Sequence, residues 1–76
     1  MTDTLKSMRV KQGLTQKEVA EKLHVTVPTV SSWERGISSP YPRYIPVLAD
    51  VLNTTRDNIF LLTNNKKLSK IKKNIS

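Results

Sequence analysis

Side chains that can bind an anion are concentrated in the segment Thr15-Gln16-Lys17-Glu18. Thr15 and Glu18 have the spacing of a capping box, in which the Thr15 hydroxyl accepts the Glu18 backbone N–H and the Glu18 carboxylate accepts the Thr15 backbone N–H. A helix therefore starts at Thr15 or Gln16, and its first N–H groups and its dipole favour a negatively charged group. Gln16 and Lys17 add an amide and an ammonium donor, so the segment suits a phosphate.

Other kinds of chemistry lack the residues they need. The chain has one histidine, His24, no cysteine and six scattered acidic residues. This set contains no pattern typical of a nucleophile with its base, of paired carboxylates or of a zinc site. We predict that the protein is not an enzyme, that it holds no metal or cofactor, and that His24 is a turn residue.

Length and charge favour one small domain with a polyanionic partner. The 76 residues include 13 Lys and Arg against 6 Asp and Glu, a net charge of +7. Residues 1–63 contribute only +2 of this charge, because five lysines follow residue 63. We divide the chain into a domain at 1–63 and a basic C-terminal tail at 64–76. A basic balance favours nucleic acid or an anionic surface.

No segment of the chain has the character of a membrane span or an export signal. The apolar runs are much shorter than the roughly 18 residues that a spanning helix requires, and the first residues lack the apolar stretch of a signal peptide. We expect a soluble, cytoplasmic protein without a membrane partner.

The apolar pattern predicts an all-α fold of five helices between residues 4 and 62. Predicted starts are Asp3 or Thr4, Thr15, Thr26 and Thr55, and Gly13 and Gly36 are predicted stops. Pro28 and Pro46 suit first turns, where a missing N–H costs little. The predicted buried stripes are, in chain order, Leu5, Met8 and Val10; Val19, Ala20 and Leu23; Val30, Trp33 and Ile37; Ile45, Val47, Leu48, Val51 and Leu52; and Ile59, Phe60 and Leu62.

Helices two and three are separated by a turn of three or four residues around His24. Such a pair can cross a duplex backbone with one helix and insert the next helix into the major groove. Ala20 is short enough for the two helices to approach closely. Trp33 lies in the apolar stripe of helix three, so we expect it in the core and not stacked on a base. We also expect Tyr44 to be buried, and we leave open whether Tyr41 packs or is exposed.

At this point the chain resembles the Cro/repressor helix-turn-helix family of phage and bacterial transcriptional regulators, which includes xenobiotic-response-element-like proteins. The resemblance spans residues 5–62 and lies in Leu14-Thr15-Gln16-x-Glu18-Val19-Ala20-x-x-Leu23 and in Val30-x-x-Trp33-Glu34-x-Gly36. It implies a five-helix, lambda-repressor-like DNA-binding domain whose helix-turn-helix is formed by helices two and three. It also implies a location in the bacterial cytoplasm or nucleoid. Two departures are His24, where the family often has glycine, and an additional Pro40-Tyr41 before helix four.

The residues that a groove-docked third helix presents to base edges are Val27, Pro28, Thr29, Ser31 and Ser32. Bidentate reading of guanine or adenine is not available from Val27, Pro28 or Thr29, so thymine methyl groups are their expected partners. Ser31 and Ser32 can bond either kind of base and discriminate weakly. DNA shape is expected to contribute to specificity.

The expected phosphate contacts are Thr15, Gln16, Lys17, Arg35, Arg43 and Lys6. The resemblance places a phosphate contact on Gln16, and Arg43 is expected at the start of helix four. Arg9 and Glu34 occupy positions that form an ion pair between helices one and three in the family. We expect this pair to be structural, with a phosphate role for Arg9 as the alternative.

These observations predict a sequence-specific DNA-binding regulator, a phage or bacterial repressor that binds a pseudo-palindromic operator as a homodimer. Half-sites would lie about 10 bp apart. The resemblance places the dimer surface around the loop and residues 53–58. The alternative is a protein-interaction module of the same fold, such as an antitoxin or antirepressor, with a toxin or protein antagonist as partner. The chain can also be the DNA-binding piece of a longer protein.

The basic tail has three open interpretations. It can be a solvated terminus, an arm on the DNA backbone or in the minor groove, or an amphipathic dimerisation segment through Leu68, Ile71 and Ile75.

Overall fold

The computed structural model describes residues 4–63, which form five α-helices and one short 3-10 helix. The helices are α1 (Leu5–Lys11), α2 (Gln16–Leu23), α3 (Val27–Glu34), α4 (Ile45–Val51) and α5 (Arg56–Thr63), with the 3-10 helix (Pro42–Tyr44) directly before α4. The predicted all-α, five-helix architecture is confirmed. Asp3 and the basic tail, with its three interpretations, lie outside the described residues.

Threonine hydroxyls begin three of the helices. Thr4 and Ser7 form a capping box at α1, and Thr15 forms the predicted box at α2, with its hydroxyl 3.1 Å from the backbone N of Glu18. At α5, Thr55 accepts the backbone N–H of Asn58 at 3.1 Å. These starts need only residues three positions apart, which is why sequence predicts them well.

Thr26 is the N-cap residue of α3, as predicted, but its side chain makes no capping hydrogen bond. A capping hydroxyl normally accepts the second or third N–H of the helix. The second position is Pro28, which has no N–H, and the third N–H, of Thr29, donates to the Thr26 carbonyl at 3.1 Å. The Thr26 hydroxyl instead lies 2.8 Å from the Thr29 hydroxyl.

Four helices are followed, within two residues, by a residue with positive φ. Gly13 and Gly36 have φ of 70° and 75°, as their predicted stop positions require, while His24 and Asn53 have φ of 58° and 55°. The following N–H then reaches back to a helix carbonyl, as at α2, where the Val25 N–H donates to Ala20 at 2.9 Å. His24 therefore occupies the left-handed position that the resemblance indicated, at some conformational cost.

The core is formed by one face of every helix. The most deeply buried side chains include Val19, Val30, Leu48 and Ile59. Ala20, 3% exposed, lies in this core on α2, which packs against α3. None of the helices within residues 4–63 is both long and apolar enough to cross a membrane.

Four residues predicted to be buried are exposed. Ile37 is 65% exposed because α3 has already ended before it. In α4 the buried residues are Leu48, Ala49 and Leu52, which places Val47 on the opposite side. Val10 and Phe60 likewise lie outside the faces that bury α1 and α5.

The aromatic residues join α3 to the segment before α4. Trp33 is 7% exposed, as its core role predicted. The half-buried ring of Tyr44 lies 5.6 Å from the Trp33 ring, centroid to centroid, at a tilt of 47°. Pro40 is buried and Tyr41 is 68% exposed, so the two additional loop residues divide between the interior and the surface.

Candidate nucleic-acid interface

The α2–turn–α3 unit presents one face of α3 outward. Three residues, His24 to Thr26, connect the helices, within the predicted turn length. Val30 and Trp33 hold α3 against the core, so helical periodicity places Pro28, Ser31, Ser32 and Arg35 on the opposite face. Pro28 and Arg35 are exposed, and the two serines are half-buried. This outward face is the one that can enter a groove.

The first turn of α3 is apolar at its surface. Val27 is 38% exposed and Pro28 beside it is exposed, while Thr29 is half-buried. The hydroxyl of Thr29 is already paired with that of Thr26. Five residues expected to read bases thus lie on one helix, with an apolar first turn followed by Ser31 and Ser32.

The start of α2 is tied to the end of α3 by a contact that sequence reasoning missed. Gln16 is the first residue of α2, and its side-chain Nε2 donates to Glu34 Oε1 at 3.0 Å. Lys17 beside it is exposed, and the Thr15 hydroxyl is used by the capping box. A phosphate at this helix start would therefore meet Gln16 already oriented by Glu34.

Glu34 also receives Arg9 of α1. Arg9 Nε lies 2.6 Å from Glu34 Oε2, and Arg9 Nη2 donates to Glu34 Oε1 at 3.3 Å. A third donor, Nη1, bonds the Leu14 carbonyl at 2.8 Å. The side chains of Arg9 and Glu34 are only 11% and 6% exposed. Three of the five N–H donors of Arg9 are thus used inside the protein, which favours the structural role for this pair.

Glu18 is the acidic group at the start of α2 that has a shifted pKa. Its carboxylate accepts the Thr15 backbone N–H at 2.8 Å. This bond, then the side-chain bond with Thr15 and the nearby charge of Lys22, lower the pKa of Glu18 below its ordinary value of 4.5. The carboxylate stays ionised near neutral pH and keeps the cap closed.

Arg43 contacts the ring of Tyr44, which packs against α3. It lies in the 3-10 helix and not at the start of α4 as predicted, because the chain makes one tighter turn before Ile45. Its guanidinium carbon is 5.0 Å from the centroid of the Tyr44 ring, and Nη2 donates to the Tyr44 hydroxyl at 3.2 Å. Tyr44 in turn packs on Trp33, so Arg43 is connected to α3 through these two aromatic rings.

A surface groove separates the start of α3 from the following loop. Its lining includes Thr26, Thr29, Ser38, Ser39, Tyr41 and Tyr44. The loop is anchored at its far side, where the Ser39 hydroxyl donates to the Thr63 carbonyl at 2.7 Å.

The remaining predicted phosphate contacts, Lys6 on α1 and Arg35 at the end of α3, are both exposed. Within residues 4–63 no group of three His, Cys, Asp or Glu side chains could hold a metal ion.

Comparison with known proteins agrees with this geometry. A family model described as helix-turn-helix matches residues 5–59, most of the chain. No solved structure matches the chain. The match covers α1 to α3, the loop, α4 and the first half of α5, and it confirms the resemblance and the lambda-repressor-like fold. The chain belongs to the helix-turn-helix family that is typical of Cro- and lambda-repressor-type DNA-binding regulators.

Proposed function

We propose that this protein is a sequence-specific transcriptional repressor, of phage or bacterial origin, that binds a pseudo-palindromic operator as a homodimer. Family membership supports DNA binding and regulation in general. The observation that carries the finer proposal is the bond between Gln16 and Glu34. It joins the predicted phosphate-binding start of α2 to the end of the helix that would enter the major groove.

The phosphate contacts in this proposal lie at the start of α2, at the end of α3, before α4 and on α1. Gln16 retains a second Nε2 hydrogen, since only one is donated to Glu34, and it can donate that hydrogen to a phosphate oxygen. Arg9 neutralises the charge of Glu34, so the carboxylate does not repel the phosphates of the DNA. The other proposed phosphate contacts are Thr15, Lys17, Arg35, Arg43 and Lys6.

Base contacts come from the first turn of α3 and from its outward face. Val27, Pro28 and Thr29 form its first turn, and Ser31 and Ser32 follow one turn later. Neither serine hydroxyl has a hydrogen-bond partner within the described part of the chain, so both can bond to a base edge or a bridging water.

A dimer is proposed because a single domain of this size makes few base contacts. Two-fold symmetry doubles the contacts and sets the half-site spacing at about 10 bp or a multiple of it. The proposed dimer surface, around the loop and residues 53–58, rests on family resemblance. Asn58 in this segment bonds Thr54 within its own chain at 2.9 Å, while Asn53 is exposed.

The test is selection of bound sequences from a pool of random duplexes, followed by sequencing. We expect an enriched site with two-fold symmetry. Ser32→Ala should change the enriched base at one position of each half-site, whereas Gln16→Ala should weaken all sites similarly. The matched control is Lys22→Ala on the same helix, because Lys22 lies on another groove, with Gln12 and Asp50.

Gln16→Ala also removes a donor from Glu34, so its thermal unfolding must be measured alongside, and binding compared well below the midpoint. Absence of any enriched sequence would contradict the proposal and leave the protein-interaction module, with a toxin or antagonist as partner, as the better description.

A further inference from the structure

We propose that α3 reads the C5 methyl group of pyrimidines in the major groove, so that operator recognition depends on thymine methyls and accepts 5-methylcytosine in their place. This inference rests on the proposed function and names the chemical group that the same site reads. The residues that would contact the methyl are Val27, Pro28 and Thr29.

The first turn of α3 offers little hydrogen bonding to a base. Pro28 has no N–H, and the Thr29 N–H is used by the Thr26 carbonyl at 3.1 Å. Val27, at 38% exposure, and Pro28 therefore present apolar surface. An apolar surface inserted into the major groove gains most against the thymine methyl, which is the apolar group on the base edges there.

The side chain of Thr29 also has its hydroxyl group in contact with another residue of the protein. Its hydroxyl lies 2.8 Å from the Thr26 hydroxyl, and one of the two hydroxyl groups donates to the other. Thr26 does not use its hydroxyl to cap α3, so that hydroxyl is available for this pairing. With its hydroxyl oxygen held beside Thr26, the half-buried Thr29 side chain can offer its methyl group to a base.

This part of the helix has no side chain that forms bidentate hydrogen bonds with a base. Residues 27–32 contain no Arg, Lys, Asn or Gln, so the bidentate contacts that identify guanine or adenine are missing. Arg35 follows only after α3 has ended. Ser31 and Ser32 can accept either kind of base. Methyl contacts would therefore carry a large share of the discrimination.

The test uses the operator obtained by random-duplex selection. Each thymine is replaced in turn by deoxyuridine, which removes only the methyl group. We expect about fourfold weaker binding for each contacted methyl, and about fifteenfold when the change is made in both half-sites, from the free energy of burying one such group. At the same position a 5-methylcytosine–guanine pair should bind about fourfold more tightly than a cytosine–guanine pair.

Two variants test which residues contact the methyl group. Thr29→Ser removes the side-chain methyl and keeps the hydroxyl for Thr26, and Val27→Ala shortens the exposed apolar group. Each should bring the thymine-to-deoxyuridine affinity ratio close to one at a single position. Lys22→Ala should leave every ratio unchanged. Thermal unfolding of each variant confirms that it is folded.

Each outcome has a distinct meaning. If an operator is found and deoxyuridine binds as well as thymine at every position, methyl reading is overturned while the proposed function stands. If deoxyuridine weakens binding but both variants keep the same ratios, the assignment to Val27 and Thr29 is overturned. If no operator is enriched, the proposed function fails and this inference fails with it.

Discussion

The Arg9 guanidinium donates through Nε to the Glu34 carboxylate over 2.6 Å, joining α1 to the last residue of α3. Because the carboxylate also accepts Gln16 Nε2 at 3.0 Å, one acidic side chain connects three helices. The end of α3 and the start of α2 are therefore positioned by the same group. Substitutions in this group test both stability and the proposed DNA binding.

Arg9→Ala should lower the free energy of unfolding by about 3 kcal/mol, because it leaves the mostly buried Glu34 carboxylate without its cation. The measurement is urea denaturation of Arg9→Ala, Glu34→Ala and the double variant that carries both alanine substitutions. The double variant should lose less stability than the two single variants together, by about 1–3 kcal/mol. Strict additivity would show that the ion pair contributes nothing beyond its separate side chains.

Salt dependence should separate charged phosphate contacts from neutral ones. Arg43→Ala should reduce the slope of log K against log salt by about 0.9 for each protomer, because one fewer phosphate is neutralised. Gln16→Ala should weaken binding with the slope unchanged, since an amide releases no counterion. The measurement is a titration of operator DNA at several salt concentrations.

Lys22→Ala is the charge-matched control for the Arg43 variant, because it also removes one positive charge but lies beside Asp50 and Val51. An equal loss of slope in both variants would mean that Arg43 acts through net charge alone and not through a defined phosphate contact.

His24→Gly should stabilise the domain by about 0.5–1 kcal/mol. His24 has φ 58° and ψ 43°, a conformation that costs a side-chain-bearing residue more than it costs glycine, even after the greater freedom of unfolded glycine is counted. Thermal unfolding should show a midpoint a few degrees higher. His24→Ala keeps the Cβ atom and should give no gain, so equal midpoints for the two variants would argue against backbone strain at this turn.

The capping box of α2 should respond to acid. The Thr15 backbone N–H holds the pKa of Glu18 below 4.5, so the ionised form stabilises the folded state above that pH and is lost as pH falls through the lowered pKa. An NMR titration of the Glu18 carboxyl group should show the depressed value. Thr15→Ala removes the hydroxyl bond but keeps the N–H, so the pKa should rise only part of the way. Titration of Glu18 at 4.5 in the unaltered protein would show that the box does not form in solution.

Much of the fold is readable from short stretches of sequence. The starts of α1, α2 and α5 depend on a hydroxyl and an N–H three residues apart, and the ends at Gly13 and Gly36 depend on positive φ at one residue. These interactions are complete within about five residues, so neighbouring residue types decide them. Periodicity likewise identifies Val19, Val30 and Ile59 as core positions.

The tertiary structure alone decides which of the apolar side chains are buried and which distant polar side chains come into contact. Local pattern misplaced Ile37 and Val47, because burial depends on which face the neighbouring helices cover. It located Thr26 at the start of α3 but not the missing capping bond, because capping depends on which N–H groups remain free. The bond from Gln16 to Glu34 spans 18 positions in the chain, and the placement of Arg43 depends on Tyr44 packing on Trp33. The Arg9–Glu34 pair was indicated by family resemblance and not by spacing.

The sequence by itself thus determined the helices, the turn and the family, since local hydrogen bonds and apolar periodicity act over one or two turns of chain. Only the folded structure decided which polar side chains meet, because that requires residues far apart in sequence to be brought within hydrogen-bond distance by the packing of the core.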